Sequence, residues 1–152
     1  MSRRLRICIV SSIGGHLTEV MHLAPILREH EVVLVLNDEI SLPDFPFARV
    51  YRIVHAERDV RVIYNFFESA QILRQEDPDI VLSTGAGPAV PFALLARLFT
   101  RSRIVYIESA AAVSHATLTG RLMYPLAHRF FYQWEGVAKY YPRGEKASVH
   151  FG

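Results

Sequence analysis

The feature that most constrains this chain is an alternation. Short runs rich in β-branched and other apolar residues recur at Leu5 to Val10, Glu31 to Leu36, Ala48 to Val54, Asp79 to Ser83 and Arg103 to Ile107, with a shorter one at Arg129 to Tyr132. Between most of them lie stretches with helical spacing: Leu17 to Arg28, Asp59 to about Glu76, Pro88 to Phe99, and Thr119 to Ala127. A Pro-containing loop separates the second run from the third, and a last turn or helix is expected near Trp134 to Tyr141. Strands that alternate with helices must run parallel, because each crossover returns the chain to the edge it left. Right-handed crossovers then give an open, Rossmann-like parallel sheet with helices on both faces.

Local signals set the element ends. Asp59 can cap the second helix, with Ile63, Phe67 and Ala70 along one face, and Pro78 closes it. Pro88 suits the first turn of the third helix. At 152 residues, half of them hydrophobic, the chain is expected to form one domain over residues 1–152.

Composition narrows the function classes. Seventeen basic residues against 15 acidic ones leave a net charge of +2, which gives no electrostatic reason to expect a nucleic-acid partner. All but Lys139 and Lys146 of the basic residues are arginines, a bias toward forked contacts with phosphate or carboxylate. Cys8 is the sole cysteine and lies in the first strand, so no intramolecular disulfide forms and a reducing, cytoplasmic setting fits. No stretch reaches the roughly 20 apolar residues of a spanning helix. The longest apolar region, Ala86 to Phe99, is interrupted by Pro88, Pro91 and Arg97. His22, His30, His55, His128 and His150 lack paired ligand spacing, so neither a metal nor another cofactor is expected.

In an open parallel sheet, ligands bind outside the carboxyl ends of the strands. Three strands end there in unusual chemistry: "SSIGGH" after the first, "STGAGP" after the fourth and "IESAAAVSH" after the fifth. Gly14 and Gly15 permit positive φ and close backbone approach ahead of a helix N-terminus. His16 and Glu19, three apart, share a face of that helix. Their alternative role is a tight strand-to-helix turn with a solvated first helical turn. Ser83, Thr84, Gly85 and Gly87 repeat the design as a cradle for phosphate or for an uncharged ligand, or serve only a tight turn. Neither loop has the GxxxxGK spacing, and Val90 stands where a third dinucleotide-loop glycine would be. Glu108 follows a buried run and is either a base or hydroxyl ligand, or a cap or ion-pair partner. Ser109 and His115 lack a G-x-S-x-G elbow.

Taken in order, "SSIGGHLTEV", "DIVLSTGAGPAVPFALLARLF", "IVYIESAAAVSHATLTGRLMYPLAHRFFYQW" and "VHFG" resemble a half-glycosyltransferase family. It includes the membrane-anchor subunit of the eukaryotic UDP-GlcNAc transferase acting on dolichol-linked GlcNAc, and bacterial capsule and exopolysaccharide enhancer subunits. The resemblance implies the N-terminal, acceptor-side half of a GT-B enzyme. A separate UDP-sugar-binding subunit would complete it, and the acceptor would be a lipid-linked saccharide. It also implies a site in which His16 and Glu108 share the roles of base and hydroxyl positioner, with Glu19 third. Gly14, Gly15, Ser83, Thr84, Gly85, Gly87 and Ser109 then bind substrate.

Two surfaces complete the expectations. Trp134, Tyr140, Tyr141 and Phe151 put aromatics near the chain end, as a docking site for the partner or as core. Phe92 and Phe99, with Arg97, Arg101 and Arg103, are candidates for peripheral attachment to the cytoplasmic face of a membrane, alongside Tyr64, Phe66 and Phe67 from the preceding helix. Two other readings remain open at this point: a non-catalytic scaffold that recruits its partner to the membrane, and a stand-alone nucleotide-binding α/β enzyme.

Overall fold

A computed structural model describes residues 2–12, 14–37, 41–56 and 59–147. Seven strands form one sheet in the order β3-β2-β1-β4-β5-β6-β7, with every neighbouring pair parallel. They are β1 (Arg6–Ser11), β2 (Glu31–Leu36), β3 (Arg49–Arg52), β4 (Ile80–Ser83), β5 (Arg103–Ile107), β6 (Arg129–Tyr132) and β7 (Glu145–Lys146). The order reverses between β1 and β4, which puts the topological switch point, and the ligand crevice that goes with it, between those two strands.

Residue parity along the strands sorts the core into two layers. Cys8, Val10, Val33, Val35, Val81, Ile104, Tyr106 and Phe130 face one side, under helices α3 (Arg61–Glu76), α4 (Ala89–Phe99) and α5 (Leu118–Met123). Ile7, Ile9, Val32, Leu34, Leu36, Leu82 and Ile107 face the other, against α1 (Gly15–Met21), α2 (Ala24–Leu27) and the loop bearing Phe45. Strands buried on both faces need apolar residues at every position, which is why they read as continuous runs rather than as alternation.

The elements follow their local chemistry. The expected helix from Leu17 to Arg28 is two helices, because Pro25, at the start of α2, has no N–H to continue the ladder of α1. Asp59 does cap α3: its Oδ1 accepts from the Arg61 amide at 3.0 Å. Asp77 ends that helix in the left-handed region, and its amide donates to the Leu73 carbonyl. Thr117 caps α5 by accepting from the Gly120 amide at 2.9 Å, and this helix stops at Met123 ahead of Pro125, not at Ala127. The segment Glu135–Tyr140 is a 3₁₀ helix. Strand β7 had no sequence signal: it is two exposed charged residues, held against β6 by pairing and by the Arg129–Glu145 ion pair at 2.7 Å.

At the amino edge of the sheet, away from the crevice, Arg49 grips the buried Glu76 carboxylate with Nε and Nη2 at 2.5 and 2.6 Å. The Tyr51 hydroxyl adds a bond at 2.5 Å. Hydrogen bonding from Arg49 holds the Glu76 carboxyl below the usual carboxylate range.

Candidate functional site

All the strand-to-helix loops on the carboxyl edge open to one side, and between them lies a cavity of about 280 Å³. Ser12 and His16 line it from the β1–α1 loop, Gly85 to Pro88 from the β4–α4 loop, and Ser109 and Thr117 from beyond β5. Asn37, directly after β2, and His55, beyond β3, close the remaining side.

The first and fourth loops interlock. Gly14 holds a φ of +81° at the start of α1, a turn that L side chains rarely adopt. Gly85 has a φ of +125°, and a Cβ there would stand 2.7 Å from His16 Cε1, so the glycine makes room for the imidazole. Thr84 fixes the same loop by donating its hydroxyl to the His16 carbonyl at 2.7 Å. Ser83 accepts from the Gly85 amide at 3.3 Å. Side chains at Gly15 and Gly87 would meet no described residue within 4 Å.

Two polar atoms at the cavity lack partners. His16 Nδ1 and Asn37 Oδ1 are buried, and neither makes a hydrogen bond among the described residues. The Asn37 amide nitrogen lies 3.0 Å from His55 Nδ1, which orients both groups. Orphaned buried polar atoms are costly unless a partner arrives, and a hydroxyl, which both donates and accepts, is such a partner. Among its described lining residues the cavity holds no carboxylate, lysine or arginine, which suits a neutral, hydroxyl-bearing ligand.

Glu108 is not in the cavity wall. It is completely buried, and its Oε2 accepts from the Tyr141 hydroxyl and from the Thr117 amide at 3.2 Å. Oε1 accepts from the Thr117 hydroxyl at 2.8 Å and from the Ser109 amide at 3.1 Å. A side chain at Gly120 would collide with Glu108 Oε2 and with the Tyr141 hydroxyl. The expectation of Glu108 as a base is therefore corrected: its oxygens are engaged, and what it does is hold Ser109 and Thr117 against the cavity. Tyr141 is corrected with it, since its ring is buried against Phe130 and Tyr124 and cannot dock a partner.

Glu19 is buried too. Its Oε1 accepts from the Ser109 hydroxyl at 3.2 Å and the Ala110 amide at 3.1 Å, while Oε2 has no partner among the described residues. Burial raises its pKa, against the smaller opposing effect of those hydrogen bonds. It ties the helix that carries His16 to the loop after β5.

The surface expectations divide. Phe92 is fully buried, because the face of α4 that carries it also carries Ala89, Ala93 and Ala96 against the sheet; it is unavailable to a membrane. Phe99, Arg97, Arg101 and Arg103 are exposed, and Arg97 contacts His128 Nε2. Trp134 is half-buried and donates from Nε1 to the Ala110 carbonyl at 2.7 Å. Tyr140 is half-buried under the Arg121 and Lys139 cations. Phe151 lies outside the described residues. No helix of the described residues is long and apolar enough to cross a membrane.

Asn37 and His55 were missed by the sequence reading. The signal was available: each follows a strand on the same edge as the glycine loops, and a polar residue directly after "VVLVL" deserves the scrutiny given to Glu108 after "RIVYI".

Comparison with known proteins agrees with this architecture. MurG of Acinetobacter baumannii superposes with a TM-score of 0.72 at 17% identity, over 94% of this chain and 45% of that one. The UDP-N-acetylglucosamine 2-epimerase of Rickettsia bellii gives 0.74 at 12%, over 97% and 46%. At such identities the likeness is one of fold, and this chain spans less than half of either structure. In sequence, the UDP-N-acetylglucosamine transferase subunit ALG14 of Mus musculus is 27% identical over 183 residues, covering 97% of this chain and 82% of that protein. Its counterpart in Candida albicans is 36% identical over 88 residues, 55% of this chain and 40% of that protein. The model of the family described as "Oligosaccharide biosynthesis protein Alg14 like" matches residues 38–150, and the chain belongs to that family.

Proposed function

We propose that this chain is the acceptor-side subunit of a two-component glycosyltransferase. In this reading it forms one GT-B half over residues 1–152, and a separate subunit brings the UDP-sugar, of the UDP-N-acetylglucosamine type, to the carboxyl edge of the sheet. The acceptor is a lipid-linked saccharide, met at the cytoplasmic face of a membrane. Trp134 and Tyr140 remain candidates for contact with the partner.

The observation that carries this reading is a cavity with no charged side chain among its described lining residues and with two buried polar atoms, His16 Nδ1 and Asn37 Oδ1, that have no partner among the described residues. An acceptor hydroxyl bound there donates to His16, which takes the proton as the oxygen attacks the anomeric carbon and the UDP leaves with the bonding pair. Asn37 accepts from a neighbouring hydroxyl and fixes the ring, so that the attacking oxygen is held in line. Glu19 and Glu108 position the loops without touching substrate.

The test is turnover of the reconstituted complex. His16→Ala is expected to lower kcat by about a hundredfold or more, the usual size of a lost general base, with assembly unchanged by size-exclusion chromatography. Gly85→Ala should act in the same direction, since a Cβ at that position displaces the imidazole. A loss well under tenfold in His16→Ala removes it from the reaction. If His16→Ala and Asn37→Ala both leave turnover intact while the complex forms, the chain is a scaffold.

A further inference from the structure

Helix α3 buries polar side chains where a helix over a sheet ordinarily buries apolar ones. Inward it turns Asn65 and Ser69 ahead of Ile72 and Leu73, while Ile63, Tyr64 and Phe67 are exposed on its outside. Burying an amide costs free energy unless it is hydrogen-bonded, so the partners of Asn65 show what the position is for. Its Nδ2 donates to the Val54 carbonyl at 2.8 Å and to Glu68 Oε2 at 3.1 Å. Glu68, three residues further along the same helix, accepts the Val54 amide on both carboxylate oxygens, each at 3.1 Å.

Val54 lies at the open edge of the sheet. Strand β3 pairs only with β2 among the described residues, and Ile53, just past it, still gives its amide to the Leu36 carbonyl at 2.8 Å. The next residue turns its own amide and carbonyl the other way, where no strand follows. There Asn65 supplies the donor and Glu68 the acceptor that a neighbouring strand would have supplied. Arg61 adds a longer contact, from Nη1 to the His55 carbonyl at 3.5 Å. What this clamp holds is not core. The segment after Val54 carries His55 and Ala56, both in the cavity wall, and His55 Nδ1 lies 3.0 Å from the Asn37 amide nitrogen. With that nitrogen turned to His55, the buried Asn37 Oδ1 is the atom left for a ligand.

We propose that Asn65 and Glu68 are positioning residues for the acceptor saccharide. Through Val54 they fix His55, His55 fixes the Asn37 amide, and the amide oxygen is then held ready for an acceptor hydroxyl. The inference rests on the proposed transferase reading and adds to it that acceptor affinity is set from helix α3, which contributes no residue to the cavity wall. His16 rides on α1 and is tied to the β4–α4 loop by Thr84, so the clamp does not hold the proposed base. If the two residues only closed the sheet edge, their loss would weaken the fold without distinguishing acceptor from donor.

The experiment is steady-state kinetics of the reconstituted complex, with N-acetylglucosamine on a short alkyl diphosphate as acceptor and UDP-N-acetylglucosamine as donor, each varied in turn. Asn65→Leu should raise the acceptor KM about tenfold, the size of one lost hydrogen bond, and leave the donor KM unchanged. At saturating acceptor, kcat should fall by less than about threefold, because a ring contact present before and during the reaction acts on binding. Glu68→Ala should behave alike, and Glu68→Gln, which keeps an acceptor oxygen for the Val54 amide, should recover most of the loss. Because Glu68 is half-buried, Glu68→Ala tests the same link if Asn65→Leu does not fold. In proton–nitrogen correlation spectra of the full chain, the Asn37 side-chain amide should shift in Asn65→Leu and Glu68→Ala while the His16 ring signals stay in place. Equal rises in the two KM values, a fall in kcat as large as the rise in acceptor KM, or an unmoved Asn37 amide would overturn the proposal. Absence of turnover in wild type would count against the transferase reading, and the Asn37 signal would then decide the clamp by itself.

Discussion

Removing one hydroxyl tests whether Glu108 is a support rather than a base. In Tyr141→Phe the ring keeps its contacts with Phe130 and Tyr124, at centroid distances of 4.3 and 5.3 Å, so the substitution isolates the bond to Glu108 Oε2. That bond runs to a fully buried carboxyl group, and a buried polar group that loses its partner costs about 1–3 kcal/mol. Oε2 keeps the Thr117 amide, which places the expected loss near 2 kcal/mol, a fall of roughly 4–8 °C in Tm for a chain of this size. Urea unfolding followed by far-UV circular dichroism should show a lower midpoint with an unchanged slope. Turnover of the complex should fall only modestly, because Thr117 and Ser109 keep their bonds to Oε1. A stability change below about 0.5 kcal/mol, or a shifted acid limb in the pH–rate profile with stability intact, would refute the assignment.

Glu19→Gln should retain the Ser109 and Ala110 bonds through its carbonyl oxygen. The folded protein holds a proton on Glu19 that the unfolded chain releases above the ordinary value of 4.5, so wild type loses stability as pH rises through that region and the glutamine variant does not. Urea midpoints of the pair across pH 4 to 7 check it; a wild type that gains on the variant with rising pH would show an ionised Glu19. Arg49→Met strands the buried Glu76 carboxylate and is expected to cost about 2–3 kcal/mol at neutral pH, less than for a wholly buried pair because Arg49 is half-exposed. Glu76 has a lowered pKa, so the difference between variant and wild type should shrink as pH falls below the ordinary carboxylate range, by the same measurement.

Most of the fold is legible in the sequence because two-sided burial leaves no choice of residue. Glu31–Leu36, Arg103–Ile107 and Arg129–Tyr132 run as strands between the expected residues. The signals that act over a few residues also hold, such as Asp59 before α3 and Pro78 after it. What fails is anything decided by a distant partner. Glu108 reads as a carboxylate at a cleft mouth until Tyr141, 33 residues later, closes over it. The apolar spacing of α4 does not say that Phe92 turns inward while Phe99 turns out. In α3 the periodicity of Ile63 and Phe67 would mark a core face in an ordinary helix, yet both are exposed while Asn65 and Ser69 are buried. For the cavity, the glycine loops and His16 were found by the rule that ligands bind at strand ends. The same rule points to Asn37 and His55, which follow β2 and β3, but without a glycine or an acid beside them they did not stand out.

The position of β1 inside the sheet, between β2 and β4, also sets the order in which the chain can be made safe. One edge of β1 pairs with β2, beginning at Arg6 with Glu31, but the other waits for β4, where Ile7, Cys8 and Ile9 meet Ile80, Val81 and Leu82. On a ribosome adding about 5–20 residues per second, that interval lasts roughly 4–15 s. During it, an apolar strand stands with a row of unpaired amides and carbonyls, the feature that invites pairing with another nascent chain. The wait grows in proportion to the number of residues between β1 and β4, so an insertion around α3 would prolong it. A stall or cut ahead of Ile80 leaves that edge permanently open, and the vulnerability of this protein during synthesis is thereby concentrated in its first half.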